Sequence, residues 1–352
     1  MEENMRYKLL GRSGLRVSEL CLGTMTFGET WGSGASKDEC QKMFDLFAEA
    51  GGNFIDTSIN YTDGESETIL GELLKADRDH FVVASKYTLT RSKDTDPNGG
   101  GNSRKNMMKS VERSLKRLQT DHLDLYYLHM WDYMTPVEEV ARAFDDLVRQ
   151  GKVAYVGFSD TPDYMVAEAN TRAELMGWSR FVAMQAPYSL LDRAVERSIM
   201  PMAKHWDMAF LAWGILEDGV LSGKFMGKMD TLTGTPVPTR VDPSNLNLSE
   251  RSRKVLGELK AVADEAARPM AQAAINWIRQ QQGKAQVIPI IGARRAEQLQ
   301  ENLSALEWEL SADQLKRLSE AGAIEMGFPH GFLESNPNIF GATREKIDSH
   351  RV

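Results

Sequence analysis

Two hydrophobic periods are interleaved along this chain. Short, continuously apolar runs that read as buried strands alternate with longer stretches whose apolar residues recur at helical spacing. Before the alternation begins, residues 7–10 and 16–18 flank Gly11-Arg12-Ser13-Gly14, a hairpin signal. The first buried strand is expected over residues 20–24, Leu20-Cys21-Leu22-Gly23-Thr24. Residues 37–50 then place Met43, Phe44, Phe47 and Ala48 at helical spacing and stop at Gly51-Gly52, as helices commonly do.

The alternation continues with strands expected at 53–55, 81–86, 123–129, 153–158, 181–185, 209–213 and 287–291. Helices are expected near 65–74, 103–118, 135–150 and 162–176, followed by a short helical stretch after the sixth strand and a helical region over 252–281. Residues 103–118 carry Met108, Val111, Leu115 and Leu118 on one face, and Thr135-Pro136-Val137-Glu138 resembles a capping box. Eight apolar strands, each separated from the next by a helical segment, are what a closed parallel barrel requires. The expected fold is therefore an α/β (β/α)8 TIM barrel with an N-terminal hairpin, a single domain over residues 1–352. An open doubly wound sheet is the alternative. It is disfavoured because no Gly-x-Gly-x-x-Gly follows the first strand, and Gly99-Gly100-Gly101 has no strand before it. Residues 89–102, 225–250 and the tail after 323 exceed a plain barrel.

Composition narrows the partners. The chain has 352 residues, 42% of them hydrophobic, enough for a full core. Its net charge of −8 comes from 50 acidic and 42 basic residues interspersed throughout, so no basic face suggests nucleic acid or an anionic membrane. A small molecule is the expected partner, and no oligomeric state is assigned. Cys21 and Cys40 are too few for a disulfide framework or a four-cysteine metal site, which fits a reducing cytoplasm. The acidic start Met1-Glu2-Glu3-Asn4 has no apolar segment behind it, and nowhere do about 18 apolar residues run together. Neither export nor membrane spanning is expected.

In this fold the active site collects at the C-terminal ends of the strands. Strand two ends in Asp56, three in Lys86, four in His129, five in Ser159-Asp160, six in Gln185 and seven in Trp213; Tyr61 lies in the loop after strand two. Each alone has an ordinary reading. Lys86 can be a solvated strand end, His129 a satisfied core histidine, Tyr61 packing, Asp56 a helix cap, and Gln185 and Trp213 plain lining. Together they fall on one rim. A phenol of ordinary pKa near 10 is a poor proton donor to a carbonyl, and an adjacent ammonium lowers that value. Lys86 is placed to do this for Tyr61, Asp56 to hold Lys86 charged, and His129 to donate a hydrogen bond to the substrate oxygen as charge develops. Ser159 lacks an evident histidine partner, and the six histidines show no metal-ligand spacing, so hydrolase and metalloenzyme readings rank low. An acid poised over an oxygen suits carbonyl reduction with hydride from a cofactor.

Asp56, Tyr61, Lys86 and His129, each at or just beyond a strand end, resemble the catalytic tetrad of the aldo-keto reductases. Further matches are Gly157-Phe158-Ser159-Asp160, Gln185 with Pro187-Tyr188-Ser189-Leu190-Leu191, Trp213 with Gly219-Val220-Leu221-Ser222-Gly223-Lys224, and Pro289-Ile290-Ile291-Gly292-Ala293-Arg294 with Gln298, Glu301 and Asn302. The resemblance implies a nicotinamide dinucleotide, NADPH in preference to NADH, across the barrel mouth. Ser159, Asp160 and Gln185 would hold its carboxamide, and Trp213 would stack on the nicotinamide. Gly292 to Arg294 would open the last helix toward phosphate, with Arg294, Lys224, Arg240 and Gln298 as candidates for the 2′-phosphate and pyrophosphate. Thr24, Met25, Asp56, Gly214, Leu216, Gly219, Glu301 and Asn302 complete the implied cofactor contacts. Two positions depart from the pattern: Asp160 stands where many relatives have asparagine, and Gly214-Ile215 replaces a serine-proline pair. An ionised Asp160 accepts hydrogen bonds but donates none, which leaves donation to the carboxamide with Ser159 or Gln185.

Trp31, Tyr87, Trp131 and Tyr133 are expected to line an aromatic substrate pocket, with Phe328 and Phe332 of the tail closing it. Aldehydes, ketones or secondary alcohols fit such a site, with Tyr61 as general acid or base. A redox-sensing NADPH-binding subunit of the potassium-channel β type is the reading from another class, and an alcohol dehydrogenase working mainly in the oxidative direction is the one within the class.

Overall fold

The first strands do not belong to the barrel. β1 (Tyr7–Leu9) and β2 (Arg16–Ser18) form an antiparallel hairpin with Lys8 opposite Val17. The structure, a computed structural model, describes residues 5–90, 95–225, 248–334 and 337–348. Leu10 and Val17 of the hairpin region join the apolar interior of the barrel, so the hairpin closes its N-terminal end. Its turn is tied there by two backbone N–H donors, from Gly11 to Gln286 Oε1 at 2.9 Å and from Arg12 to the Asp207 carbonyl at 2.7 Å.

Eight parallel strands form the closed barrel: β3 (Cys21–Gly23), β4 (Phe54–Asp56), β5 (Val82–Tyr87), β6 (Leu123–Leu128), β7 (Val153–Ser159), β8 (Phe181–Pro187), β9 (Ala209–Trp213) and β10 (Gln286–Ile291). They are neighbours in chain order, and β10 closes the ring on β3 with Ile290 opposite Cys21. Around them lie α1 (Lys37–Glu49), α2 (Glu65–Leu73), α3 (Arg104–Leu118), α4 (Val137–Arg149), α5 (Asp163–Met176) and α6 (Ile199–His205). After β9 come α7 (Glu250–Ala266) and α8 (Met270–Arg279); after β10 come α9 (Ala296–Leu303), α10 (Ala312–Ala321) and α11 (His330–Glu334).

Side chains alternate across each strand with a period of two, so every strand feeds two cores. On β5, Val82 and Ala84 enter the barrel interior, while Val83 and Tyr87 pack in the shell between strands and helices. β6 repeats the division, with Leu125 and Tyr127 inward and Tyr126 and Leu128 outward. Inward at the mouth then come the residues that continue this parity: Asp56 after Phe54, Lys86 after Ala84, His129 after Tyr127, Gln185 after Ala183 and Trp213 after Leu211. The interior has a tight spot at Gly157 on β7, where a Cβ would lie 2.5 Å from the Tyr127 ring. Glycine there makes room for a tyrosine directly beneath the mouth.

Three local expectations are corrected. The helical region over 252–281 is two helices, broken where Ala267 takes a left-handed φ of 49° and Pro269 caps α8. Pro269 has no N–H to continue α7. No capping box forms at Thr135: the N-cap of α4 is Pro136, which makes no side-chain cap, and Thr135 Oγ1 instead donates to Asp132 Oδ2 at 2.8 Å. On α3 the buried apolar positions are Met107, Val111, Leu115 and Leu118, and Met108 sits at the edge of that face.

Candidate active site

The residues at the mouth are held by the strands and by one loop. Strand register sets Asp56 of β4 beside Ala84 of β5, and Lys86 of β5 beside Tyr127 of β6. Lys86 is fully buried. Its ammonium donates to Asp56 Oδ2 at 2.6 Å, to the Thr57 carbonyl at 2.9 Å and to Tyr61 Oη at 3.1 Å. Three acceptors satisfy its three donors. The Tyr61 oxygen therefore accepts from Lys86, which leaves its own O–H directed away from the amine. Gln185 Nε2 completes the anion's partners, donating to Asp56 Oδ1 at 2.9 Å.

Burial is the largest influence on Lys86 and opposes its charge, but Asp56 and Tyr61 outweigh it and raise the pKa above the ordinary lysine value. Burial is also the largest influence on Tyr61, and it raises the phenol; Lys86 pulls it down, Asp56 pushes it up, and the net direction is upward. This corrects the expectation of a phenol made more acidic by Lys86: the influence of Lys86 has the anticipated sign, and desolvation exceeds it. The phenol thus keeps its proton throughout the neutral range. Burial, and after it Lys86, push His129 well below the ordinary imidazole value, so its ring is neutral. The His129 ring stands edge-on to Tyr61, with centroids 5.9 Å apart and planes at 81°. Its Nδ1 lies 3.1 Å from Ser58 Oγ.

The loop that presents Tyr61 is bent sharply. Thr62, Asp63 and Gly64 take left-handed φ values of 44°, 59° and 93° in succession. Such a run is held only by surrounding contacts. Thr62 Oγ1 donates to the Phe27 carbonyl at 2.6 Å and accepts from the Ser66 amide at 3.0 Å. Arg117 of α3 donates to the Ile59 carbonyl at 2.9 Å and to the fully buried Glu67 at 3.2 Å. Its guanidinium occupies the space a side chain at residue 64 would need, with Cζ 2.2 Å from an added Cβ. None of Ser58, Asn60, Gly64, Glu67 and Arg117 was singled out from the sequence. Parity pointed to Ser58, which continues the inward series Phe54 and Asp56, whereas Arg117 lies on a distant helix with no local signal.

The expected cofactor residues divide. Ser159, Asp160, Gln185 and Trp213 all lie at the mouth. Gln185 gives one of its two amide N–H groups to Asp56. Trp213 is 39% exposed, and its Nε1 donates to Asp160 Oδ1 at 3.2 Å. Burial raises Asp160 to about 6, against the Trp213 hydrogen bond and the Lys86 charge, which lower it. Thr24 is fully buried; its N–H and hydroxyl both donate to the Asp56 carbonyl, at 2.9 and 3.1 Å, so its side chain ties the two strand ends together. Met25 is half-buried beside it. Lys224 donates to the Asp218 carbonyl at 3.0 Å; burial lowers its pKa, and the charge of Arg294 lowers it further, which places the two cations near each other. Gly214, Leu216 and Gly219 form the turn between Trp213 and Lys224, where the Leu216 carbonyl accepts from Gly219 N.

Gly292 to Arg294 precedes α9, not the last helix, since α10 and α11 follow. The helix start is already partly occupied. Gln298 Oε1 accepts from Arg294 N at 3.1 Å, and the Glu39 carboxylate accepts from Ala296 N. Asn302 is buried, and the Glu301 carbonyl accepts from Gln272 Nε2. Arg240 lies outside the described residues.

Of the expected substrate residues, Trp31 stands edge-on to Tyr61, with ring centroids 6.5 Å apart. Trp131 is buried within the core shell, and Tyr133 is 73% exposed on the following loop. Tyr87 does not line the mouth: it has outward parity, packs on Tyr126 and Phe144, and donates its hydroxyl to the Asn102 carbonyl. Phe328 and Phe332 lie 6.2 Å apart with both rings exposed, so neither covers a pocket here. Among the described residues no helix is long and apolar enough to cross a membrane.

Residues 19–323 match the family profile described as Aldo/keto reductase family. An NADP(+) aryl-alcohol dehydrogenase of Phanerodontia chrysosporium is 37% identical, over 90% of this chain and 86% of that protein. An aryl-alcohol dehydrogenase of Pestalotiopsis microspora is 36% identical over 93% and 85%, and a norsolorinic acid reductase of Aspergillus flavus 35% identical over 94% and 84%. With an eight-stranded parallel barrel whose mouth gathers a buried lysine, aspartate, tyrosine and histidine, this chain is an oxidoreductase that belongs to the aldo/keto reductase family.

Proposed function

We propose that the protein is an NADP-dependent oxidoreductase that interconverts aryl aldehydes or ketones with the corresponding alcohols, using Tyr61 as general acid and base. The observation that carries this reading is the Lys86 ammonium, buried between Asp56 at 2.6 Å and Tyr61 Oη at 3.1 Å. Because Lys86 donates to the phenol oxygen, the phenol proton is free to be donated to a substrate oxygen. A nicotinamide dinucleotide, when bound, supplies or accepts the hydride. As the carbonyl carbon takes a hydride, its oxygen takes the Tyr61 proton, and the phenolate left behind faces the fixed Lys86 charge. In the reverse direction the phenolate takes the alcohol proton. The raised phenol value fits this timing, since the proton stays on Tyr61 until an alkoxide, a far stronger base, develops beside it.

The residues at the mouth fit a nicotinamide dinucleotide. The half-exposed Trp213 indole, held by Asp160, offers a flat apolar face, and Gln185, with one amide N–H on Asp56, keeps its Oε1 for an amide donor. Ser159 and the second N–H of Gln185 are the neutral donors for the carboxamide oxygen. Lys224, whose charge the nearby Arg294 disfavours, and Arg294 itself suit an anionic phosphate, and this favours NADPH over NADH. An aryl substrate is supported by Trp31 against Tyr61 and by the names of the relatives. Those relatives are named as enzymes, in both the oxidative and the reductive direction, which favours turnover over the channel-subunit alternative.

A spectrophotometric screen of aryl aldehydes and alcohols with NADP(H) and NAD(H) tests the proposal. Turnover with NADP(H) is expected, and Tyr61→Phe is expected to lose nearly all of it while NADPH still quenches tryptophan fluorescence. Unchanged turnover in Tyr61→Phe removes Tyr61 as the acid; tight NADPH binding without turnover of any compound favours a sensing role.

A further inference from the structure

His129 is not left to choose its own tautomer. Its Nδ1 lies 3.1 Å from Ser58 Oγ, and Ser58 Oγ in turn lies 2.7 Å from Asn60 Oδ1. Ser58 is fully buried, and Nε2 of the imidazole makes no hydrogen bond among the described residues. The ring is neutral, so one of its nitrogens carries the proton and the other a lone pair.

A hydroxyl has a single proton, which makes this three-member chain directional. With the amide oxygen of Asn60 toward Ser58, the hydroxyl donates to Asn60 and must accept from Nδ1–H. Nε2 is then a bare acceptor. With the amide nitrogen toward Ser58, the nitrogen donates to Oγ, the hydroxyl donates to Nδ1, and Nε2 carries the proton. The structure has the first arrangement, in which Nε2 accepts an alcohol O–H but repels a carbonyl oxygen. Only the second arrangement lets His129 donate to a carbonyl.

We propose that Ser58 and Asn60 are positioning residues that set the tautomer of His129, and that a turn of the Asn60 amide converts Nε2 from acceptor to donor when a carbonyl replaces an alcohol at the mouth. The exchange conserves protons overall: Nε2 takes a proton from water at the mouth, the ring then returns its Nδ1 proton to solvent, and the Ser58 hydroxyl reverses its direction. The identity of the substrate oxygen as carbonyl or alcohol rests on the function proposed above; the control of the tautomer by Ser58 does not.

Long-range 1H–15N spectra of the full chain labelled with 15N-histidine read the tautomer without turnover, because protonated and bare ring nitrogens resonate far apart. The parent protein without ligand is expected in the Nδ1–H form. Ser58→Ala, which frees Nδ1, is expected to move His129 toward the Nε2–H form. Asn60→Asp presents only acceptors and is expected to keep the Nδ1–H form. In the dead-end mixture of NADP+ with benzaldehyde, the parent is expected to convert to Nε2–H and Asn60→Asp to resist. In steady-state assays, Asn60→Asp then raises the KM for aldehyde relative to that for alcohol by about tenfold, the size of one lost hydrogen bond.

An unchanged His129 tautomer in Ser58→Ala overturns the relay, provided that variant retains the parent's circular dichroism and melting temperature. Should Ser58→Ala not fold, Ser58→Gly and the ligand-free parent spectrum decide: a parent already in the Nε2–H form that Asn60→Asp does not alter overturns it equally. A tautomer that responds to Ser58→Ala but not to benzaldehyde in the parent overturns the substrate-driven turn of Asn60 and counts against the carbonyl reading, leaving the control by Ser58 supported.

Discussion

Trp213 and Asp160 are joined across the barrel mouth: the indole Nε1 donates to Asp160 Oδ1 at 3.2 Å. Asp160 itself sits at a left-handed φ of 39°, a conformation that aspartate tolerates better than most residues. A carboxylate at this position thus has a partner of its own, independent of any ligand, and it orients the Trp213 indole.

That carboxyl gives the first prediction. Its pKa, raised by burial to about 6, exceeds the unfolded value, so the folded state binds the proton more tightly. The associated stability is complete below the unfolded carboxylate range and is lost as pH rises through about 6. Asp160→Asn keeps an acceptor for Trp213 and removes the titration. The variant is expected to gain about 1–2 kcal/mol on the parent between pH 5 and pH 8, read as the change in their difference in urea unfolding. A difference that does not vary with pH sinks the assignment.

Lys86 and Asp56 give the second. Both are buried, and removing one partner of a buried ion pair leaves an uncompensated charge at a cost of about 3–5 kcal/mol. Lys86→Met is expected to be destabilised by about that amount and inactive. Asp56→Asn/Lys86→Met removes both charges, so it is expected to recover much of the stability by denaturant unfolding while remaining inactive in the aldehyde assay. Recovery of turnover in the double variant would show that the charge on Lys86 has no part in the chemistry.

The third concerns the loop that carries Tyr61. Gly64→Ala meets the Arg117 guanidinium and carries a side chain at φ 93°. It is expected to lower the melting temperature and to cut kcat by more than it lowers cofactor affinity, because the displaced residues are those that aim the phenol. Arg117→Met strands Glu67, whose carboxyl is fully buried and which burial already pushes above the ordinary value. Adding Glu67→Gln to Arg117→Met should restore stability; if the pair is no more stable than Arg117→Met alone, the Glu67 charge is not the source of the loss.

These contacts also explain which parts of the site were legible in the sequence. Asp56, Lys86 and His129 close apolar strands, and an abrupt polar residue after a buried run is a local signal that survives without any tertiary knowledge. Tyr87 was misplaced by the same rule applied without parity: it follows Lys86 directly, so it must face the helices when Lys86 faces the interior. Nothing near Thr24 in the sequence announces that its hydroxyl donates to the Asp56 carbonyl, 32 residues away. The sign of the Tyr61 shift was missed because the adjacent charge is visible from spacing, whereas the depth of burial that outweighs it is a property of the closed barrel. Arg117 was invisible for a related reason: its contact with Ile59 spans 58 residues and lies on the polar edge of an otherwise ordinary amphipathic helix.

Cofactor choice gives the last prediction. Lys224 and Arg294 come from separate turns, after β9 and after β10, yet Arg294 lowers the pKa of Lys224, and Gln298 and Glu39 already cap the helix start beside them. On the proposed NADPH reading, with those backbone donors partly occupied, discrimination for an added phosphate would fall to the two side-chain cations. Arg294→Ala is expected to weaken NADPH binding about tenfold to a hundredfold, as loss of one or two charge-assisted hydrogen bonds implies, and to leave NADH binding nearly unchanged. The Lys224 amine should report the same event from the other side, since removing Arg294 relieves its repulsion and raises its pKa toward the ordinary value. Fluorescence titrations with the two cofactors separate the outcomes: equal losses for NADPH and NADH would place Arg294 on a phosphate both share, and no loss for either would remove it from the site.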